Sequence, residues 1–491
     1  MFSQLKDHHV LRRDILASLV VFLVALPLCV GVAVASGVPA ELGLITGIVG
    51  GLVVGMLPGS SLQVSGPAAG LTVLVYEAVQ EFGLGALGAI VLVSGILQLT
   101  LGALGFGRWF RAISVAVVQG MLAGIGLVLV LGQVYAMADT AQPSGGLGKI
   151  AGLPGLAGEI VTNGTALTAF LVGAGTVAVL VVWPRLPARV RVVPGQLAAV
   201  ALATGVALLL DLPLAKVEVK GLLESIRPPG LEDFGHLGGV AALGTVLAFT
   251  LIASAESLFS AAAIDRMHDG PRTDYNKELM AQGVGNTVCG ALGALPMTAV
   301  IVRSAANVQA GARTPLSRIL HGLWLLLFAA LLPAAIGVIP LAALAGVLVH
   351  AGCKLIPVRE LAPLWREHRG EAVILVVTAV AILVTNLFEG VILGLLLAVV
   401  KTAWEISHLH LDIRELTGGR MVVSITGNAT FLRLPRTLEQ LEALPKDRPI
   451  ELDLSGLHHV DHACRIALEN WALRHNDAET EPVRMHLPNV T

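Results

Sequence analysis

Between Asp14 and Asp139 the chain carries only five charged side chains, Glu41, Glu77, Glu81, Arg108 and Arg111. A soluble body of this size needs charge to coat its surface, and so long an uncharged stretch cannot supply it. Over all 491 residues 13% are charged and 55% hydrophobic, against about 25% and about 45–50% in soluble proteins. Glycines number 55 and aromatics make up 4%. Small residues of this kind let helices approach closely in lipid. The net charge of −2 argues against a nucleic-acid binder, and the hydropathy against a cytosolic enzyme or a disordered chain. The reading is a polytopic α-helical membrane protein.

The charge is unevenly spread. Of 32 basic and 34 acidic residues, 21 lie in 406–491, a soluble density. The chain therefore divides into a cytosolic N-terminus (1–14), a transmembrane domain (15–408) and a small α/β domain (412–491). Cys29, Cys289, Cys353 and Cys464 have no paired spacing, so neither a disulfide framework nor a metal site is read. Lys6 and Arg12-Arg13 followed by an apolar run from Ile15 imitate a secretion signal. The run continues without a cleavage site and reads as a retained first span.

Fourteen apolar segments follow, at 15–37, 42–57, 67–80, 84–106, 111–137, 165–183, 194–211, 238–264, 277–294, 303–311, 316–332, 335–352, 371–387 and 389–408. The third and tenth are too short to cross alone. Connections after the even-numbered spans hold Arg108/Arg111, Arg185/Arg189/Arg191, Arg266/Arg272/Lys277, Arg313/Arg318 and Lys354/Arg359/Arg366/Arg369. That asymmetry places both termini in the cytosol. Residues 356–369 read as an amphipathic helix on the same face.

Seven spans lie on each side of the 212–237 loop, as repeats over 15–211 and 238–408. Seven is odd, so the second repeat runs inverted. Each has a break at its third span: Ser65-Gly66-Pro67-Ala68-Ala69 in one, and Thr298-Ala299 through Val302-Arg303-Ser304 in the other. Half-helices meeting at mid-membrane direct free N–H groups and dipoles into one cavity, an arrangement suited to anions. These ten residues are the candidate substrate contacts.

Ionisable groups at membrane depth are costly and mark function. Glu256 sits mid-span with Ser260 one turn on, as a candidate for proton or cation coupling. Arg303 keeps its charge wherever it is buried, either to hold the anion or to pair with a carboxylate such as Glu256. Glu41 is expected to be exposed in a turn, Glu77 and Glu81 solvated near a mouth, and His321 and His350 at surfaces or boundaries. No phosphate loop, nucleophile elbow or zinc-protease motif is present, so no enzyme activity is read.

Three stretches carry a family resemblance. They are Pro27-Leu28-Cys29-Val30-Gly31-Val32-Ala33, Gln282-Gly283-Val284-Gly285-Asn286, and Arg303-Ser304-Ala305-Ala306-Asn307 with Gly311-Ala312-Arg313-Thr314. Together they resemble the first-, ninth- and tenth-span signatures of the SulP anion permeases, the solute carrier 26 family. The resemblance implies a seven-plus-seven inverted repeat of core and gate domains, a cytosolic STAS domain, a homodimer and an elevator motion. It implies an anion between the third and tenth half-helices, and no cofactor. It also implies a coupling cation at span eight, where Glu256 and Ser260 are similar to the Asp and Thr that hold sodium in cyanobacterial bicarbonate transporters. Sodium would then lie near Glu256, Ser260, Ala299, Val300 and Ile301, with proton coupling equally open. Leu28 and Val32 replace the family's Gln and Tyr. In the tail, Ile450–Gly456 and Val460-Asp461-His462 resemble a shortened STAS core with His462 in place of the usual Ser.

The expected function is secondary import of a small anion (sulfate, bicarbonate or dicarboxylate) across the plasma membrane. The alternatives are a nucleobase–proton symporter of the same fold class, an anion channel, and a sensor acting through the tail. Arg303 where nucleobase carriers place a second acid favours the anion.

Overall fold

A computed structural model describes residues 8–112, 114–143, 145–187, 189–191, 193–218, 220–416, 419–475 and 481–486. Residues 1–7 of the N-terminal segment, Lys6 among them, lie outside the described residues. Up to Ile406 the chain is almost wholly helical. The first half comprises α1 (His8–Ala35), α2 (Ala40–Leu52), a short strand β1 (Ser65–Pro67), a 3-10 turn over Ala69–Leu71, and α3 (Thr72–Ala103). It continues with α4 (Val115–Met137), α5 (Gly146–Thr162), α6 (Gly164–Val182) and α7 (Gly195–Leu209).

After the short α8 (Leu231–Gly235), the second half follows with α9 (Val240–Ile264), α10 (Tyr275–Ala291), β2 (Met297–Ala299) and α11 (Ile301–Gln309). It ends with α12 (Leu316–Leu331), the single turn α13 (Pro333–Gly337), α14 (Leu341–Leu355), α15 (Val358–Glu367), α16 (Arg369–Val384) and α17 (Leu387–Ile406). The order of the first half recurs: two helices, a strand, then the third and fourth spans (continuous in α3, separate as α11 and α12), then four helices (α4 to α7, and α14 to α17), with the single turn α13 added in the second half. Each of the fourteen expected segments meets one of these helices or half-helices. The third and fourth join in α3 across Gly83, whose φ of 82° bends the helix there. The amphipathic helix expected at 356–369 is α15. Helix α5 was not anticipated.

Among the described residues, seven helices are long and apolar enough to cross a membrane by themselves, and three more, at Ala40–Met56, Gly195–Leu209 and Leu316–Leu331, are apolar but shorter. The local caps follow chemistry. Asp274 accepts from the N–H groups of Asn276 and Lys277 at the start of α10, and Asn163 accepts from Thr165 N–H at the start of α6. Small residues set the closest crossings. A Cβ on Gly51 of α2 would stand 2.5 Å from Gly322 Cα of α12.

Glu41 corrects an expectation. It is 2% exposed, and its Oε1 accepts from the backbone N–H groups of Lys220 and Gly221. A carboxylate that caps a distant loop can be buried because the loop supplies the donors water would have given. His321, expected at a surface or boundary, is likewise fully buried, with Nδ1 3.3 Å from the Arg318 carbonyl.

From residue 396 onward a second compact unit forms. It contains β3 (Leu409–Glu415), β4 (Met421–Ala429), α18 (Leu434–Glu442), β5 (Ile450–Asp453), β6 (Leu457–Val460), α19 (His462–Arg474) and β7 (Arg484–His486). The sheet order is β3-β4-β5-β7 with β6 also on β4; among the described strands of this sheet only β3 pairs antiparallel. Val423, Ile425, Leu452 and Leu468 fill its core. This is a STAS-like α/β unit. Its boundary falls within α17, upstream of the composition change, because the last turns of that helix pack with the unit. Arg433 lies 4.6 Å from the Trp404 ring, and Asn428 Nδ2 donates to Ile406 O at 2.9 Å.

Candidate anion-binding site

The two breaks meet. Ser65 pairs with Ala299, Gly66 with Thr298 and Pro67 with Met297 in an antiparallel ribbon of three residues a side. The ladder is extended by Val300 N–H to Val64 O at 2.9 Å. Ser304 Oγ then accepts from Val64 N–H at 2.9 Å and donates to Val300 O at 2.8 Å. Each strand leads directly into a helix start, at Ala69–Leu71 on one side and Ile301 on the other. The first N–H groups of a helix have no partner within it. Two such ends therefore face the same region, each with the positive end of its dipole.

A cavity of about 400 Å³ lies there. Its deep end is formed by Pro67, Ala69, Gly70, Val302, Arg303 and Glu256, and Leu28 and Val32 make an apolar wall. The lining continues to Lys354, Pro357 and Glu360. These belong to the connection carrying the basic residues of the orientation argument. At that mouth Gln119 Nε2 donates to Glu360 Oε2 at 2.5 Å.

Arg303 is fully buried. Its Nη2 donates to Pro67 O at 3.2 Å, while Nε and Nη1 have no hydrogen-bond partner. A Cβ on Gly66 would collide with Nη1, so only glycine lets the guanidinium lie across β1. Among the described residues Arg303 forms no ion pair, so the carboxylate partner that the sequence left open is not found. A charge held at mid-membrane costs about 2.5–3.5 kcal/mol on insertion scales, and an anion in the cavity would offset part of it.

Glu256 enters from α9. A Cβ on Gly70 would come within 2.8 Å of both its carboxylate oxygens, and Oε2 has no partner. Ser260 Oγ donates to Ala299 O at 2.9 Å, and Ser257 Oγ accepts from Ala299 N–H at 3.2 Å. The coupling candidates Glu256 and Ser260 thus stand against the second break, where Val300 and Ile301 also line the cavity.

The structure separates the ten proposed substrate contacts into two groups. Pro67, Ala69, Val302 and Arg303 line the cavity, whereas Ser65, Gly66, Ala68, Thr298, Ala299 and Ser304 lie behind it, forming or flanking the ribbon. Ser304 Oγ both accepts and donates within the ribbon, and Ser65 Oγ accepts from Gln282 Nε2, so both hydroxyls brace the crossing.

Residues of α10 that had entered only as motif letters prove to hold the crossing. Asn286 Oδ1 accepts from Met297 N–H at 2.7 Å, and its Nδ2 donates to Met297 O at 3.1 Å and Gln98 Oε1 at 2.7 Å. Gln282 Nε2 donates to Ser65 Oγ at 2.7 Å and to Glu278 Oε1 at 2.8 Å. Glu278 Oε2 accepts from Ser60 N–H at 2.8 Å. Amides at i and i+4 in an otherwise small-residue helix were the available signal.

Residues 11–378 match the family model described as the sulfate permease family. The chain belongs to that family. It is 28% identical to the bicarbonate transporter BicA of Picosynechococcus sp. over 95% of this chain and 82% of that one. It is 23% identical to the chloroplastic sulfate transporter 4.1 of Arabidopsis thaliana over 82% of this chain and 60% of that one. Among solved structures, the transmembrane domain of a cyanobacterial BicA aligns with TM-score 0.68 at 24% identity, covering 80% of this chain and 98% of that one. The murine Slc26a9 anion transporter in its inward-facing state aligns with TM-score 0.81 at 15% identity, covering 99% and 86%. The fold is therefore that of a multi-pass solute carrier 26 transporter, and the family's named members are transporters, not enzymes.

Proposed function

We propose that this family member is a secondary active transporter that imports a small anion of the sulfate, bicarbonate or dicarboxylate class. The observation that carries the reading is the convergence of two unpaired helix N-termini and a fully buried Arg303 without an ion-pair partner on one cavity. Together they offer backbone donors, two dipoles and one fixed charge to an anion, in a setting that screens little. Arg303 acts through its charge and through the oriented carbonyl of Pro67, since its guanidinium lies across the ribbon. Glu256 is the coupling carboxylate, by protonation or by holding sodium with Ser260. The cavity mouth at Lys354 and Glu360 faces the cytosol if both termini are cytosolic, so the conformation is inward-facing. Transport then proceeds by alternating access of a core carrying the ribbon against a gate, in a homodimer in the plasma membrane.

The test is uptake of labelled sulfate, bicarbonate and a dicarboxylate into proteoliposomes under imposed proton or sodium gradients. Saturable, gradient-driven uptake of one of these is expected. A linear, gradient-indifferent flux would establish a channel, and uptake of uracil in their place would establish a nucleobase carrier.

A further inference from the structure

A second cavity, of about 580 Å³, lies at the opposite end of the same helices. Its α3 wall includes Glu77 and Glu81, its α9 wall Ala241 to Ala248, and Glu389 stands on the α17 side. Glu77 lies seven residues beyond Gly70, and Ala248 eight before Glu256. The two linings come nearest along α3, where Gly70 and Val73 stand about 5 Å apart at 1.5 Å per residue, and are about 12 Å apart along α9. The matter between them is the seal that must open when the site faces the other side.

Lys149 of α5 sits in that seal. It is 4% exposed, lines both the larger cavity and a residual void beside Thr72 and Tyr76, and carries its ammonium 6.0 Å from the Tyr76 ring centroid. Its backbone carbonyl is fixed by Tyr135 Oη at 2.6 Å. Among the described residues it makes no ion pair within contact distance; Glu77, next to Tyr76 in the chain, lines the same cavity and is the nearest carboxylate on that stretch of α3. Glu81 and Glu389 are exposed at the rim. Lys149 belongs to the α4–α5–α6 side, Tyr76 and Glu77 to the half-helix side. The contact therefore spans the seam along which the two bodies would slide.

Repeat symmetry supports the same role. Helix α5 stands between the fifth and sixth spans of its half, and α15 occupies the same place in the other. Helix α15 supplies Glu360 to the mouth of the first cavity, and α5 supplies Lys149 to the second. Each inserted helix thus places one charge in an opening of the route.

We propose that Lys149 is the outer gate residue, sealing the route by docking across the seam onto Tyr76 and Glu77. The proposal rests on the alternating-access reading above. A buried ammonium is tolerable while the Tyr76 ring face and the Glu77 charge compensate it. When the half-helix side moves, that compensation is lost, and the lysine is drawn towards water or an incoming anion.

The test measures labelling of Leu122→Cys, in the first cavity, by a membrane-impermeant thiol reagent applied from the outer side of the full-length protein, in a Cys353→Ser background. Lys149→Met and Glu77→Gln are each expected to raise the labelling rate at least about fivefold. Lys149→Arg should leave it within about twofold, and the exchange Lys149→Glu with Glu77→Lys should return it towards the parent value. If Lys149→Met is not recovered in monodisperse form, Glu77→Gln, altered at a partly buried position on the cavity wall, carries the test. Unchanged labelling in the neutralised variants overturns the proposal. Raised labelling that the exchange does not reverse overturns the pairing with Glu77. Because labelling needs no transported substrate, its outcome is independent of whether the anion assignment holds.

Discussion

Arg303 and Glu256 occupy one cavity without touching, and their substitutions should fail in different ways. Arg303→Ala removes a charge that acts on the anion, so half-saturation should rise roughly 10- to 100-fold, on the order of 1.4–2.8 kcal/mol of binding. Isothermal titration with the transported anion reads it, and unchanged affinity would remove Arg303 from the site. Glu256→Gln should leave anion binding within a few-fold but abolish the dependence of uptake on the imposed gradient. Gradient-driven uptake surviving in that variant would take coupling away from this carboxylate. Gly70→Ala tests their spacing, because its Cβ would press on both Glu256 oxygens at 2.8 Å. Coupled uptake should be lost in a protein that still purifies as the parent does. At this scale the sequence was informative about rarity and silent about partners. Glu256 and Arg303 stood out because charge is so scarce around them. Glu41 was misplaced because the N–H groups that make its burial tolerable come from residues 220 and 221, which no local pattern connects to residue 41.

At the scale of elements, breaks in hydrophobicity placed both half-helices to within two or three residues, since Gly, Ser and Pro interrupt a helix for local reasons. That the interruptions pair as strands was not legible, because three-residue strands have no periodicity to detect. Their bracing by α10 makes a sharp prediction. Asn286→Leu leaves Met297 N–H and O and Gln98 Oε1 buried without partners, so a loss of about 2–4 kcal/mol and a clear fall in thermal midpoint are expected. A midpoint unchanged within error would show that the ribbon holds without α10. Helix α5 escaped notice because its Gly- and Pro-rich sequence reads as a loop, although the place of α15 in the other repeat would have pointed to it. In the small domain, Asp461 caps α19 by accepting from Cys464 N–H at 2.7 Å and from Phe431 N–H at 2.5 Å. Burial works to raise its pKa, but these hydrogen bonds outweigh that and hold the carboxyl below the usual range. Its contribution is therefore complete above the unfolded pKa, near 4, and is lost as pH falls through the lower folded value. Asp461→Ala should cost about 1 kcal/mol at neutral pH, seen as faster amide exchange in residues 462–474 of the full chain.

For the whole molecule, the charge census divided the chain into a membrane body and a soluble tail, and the fourteen segments reappear as helices and half-helices. What composition could not show is that the final helix is shared between two compact units. A helix that runs from one unit into the next keeps its hydropathy while changing its neighbours, and only packing reveals the exchange. The inverted order of the halves was legible from a parity argument alone, because seven spans reverse the direction of the eighth.

The three-residue ribbon has one further consequence. Its ladder is built from main-chain atoms of both repeats, and point substitution does not rewrite main-chain atoms. Divergence towards a new cargo must then work at the apolar wall of Leu28 and Val32, or at the helix starts, while the knot that joins the two ancestral halves stays fixed. Two repeats tied in this way cannot drift apart in position. A displacement of either broken helix carries the other with it, so the cradle travels as one piece.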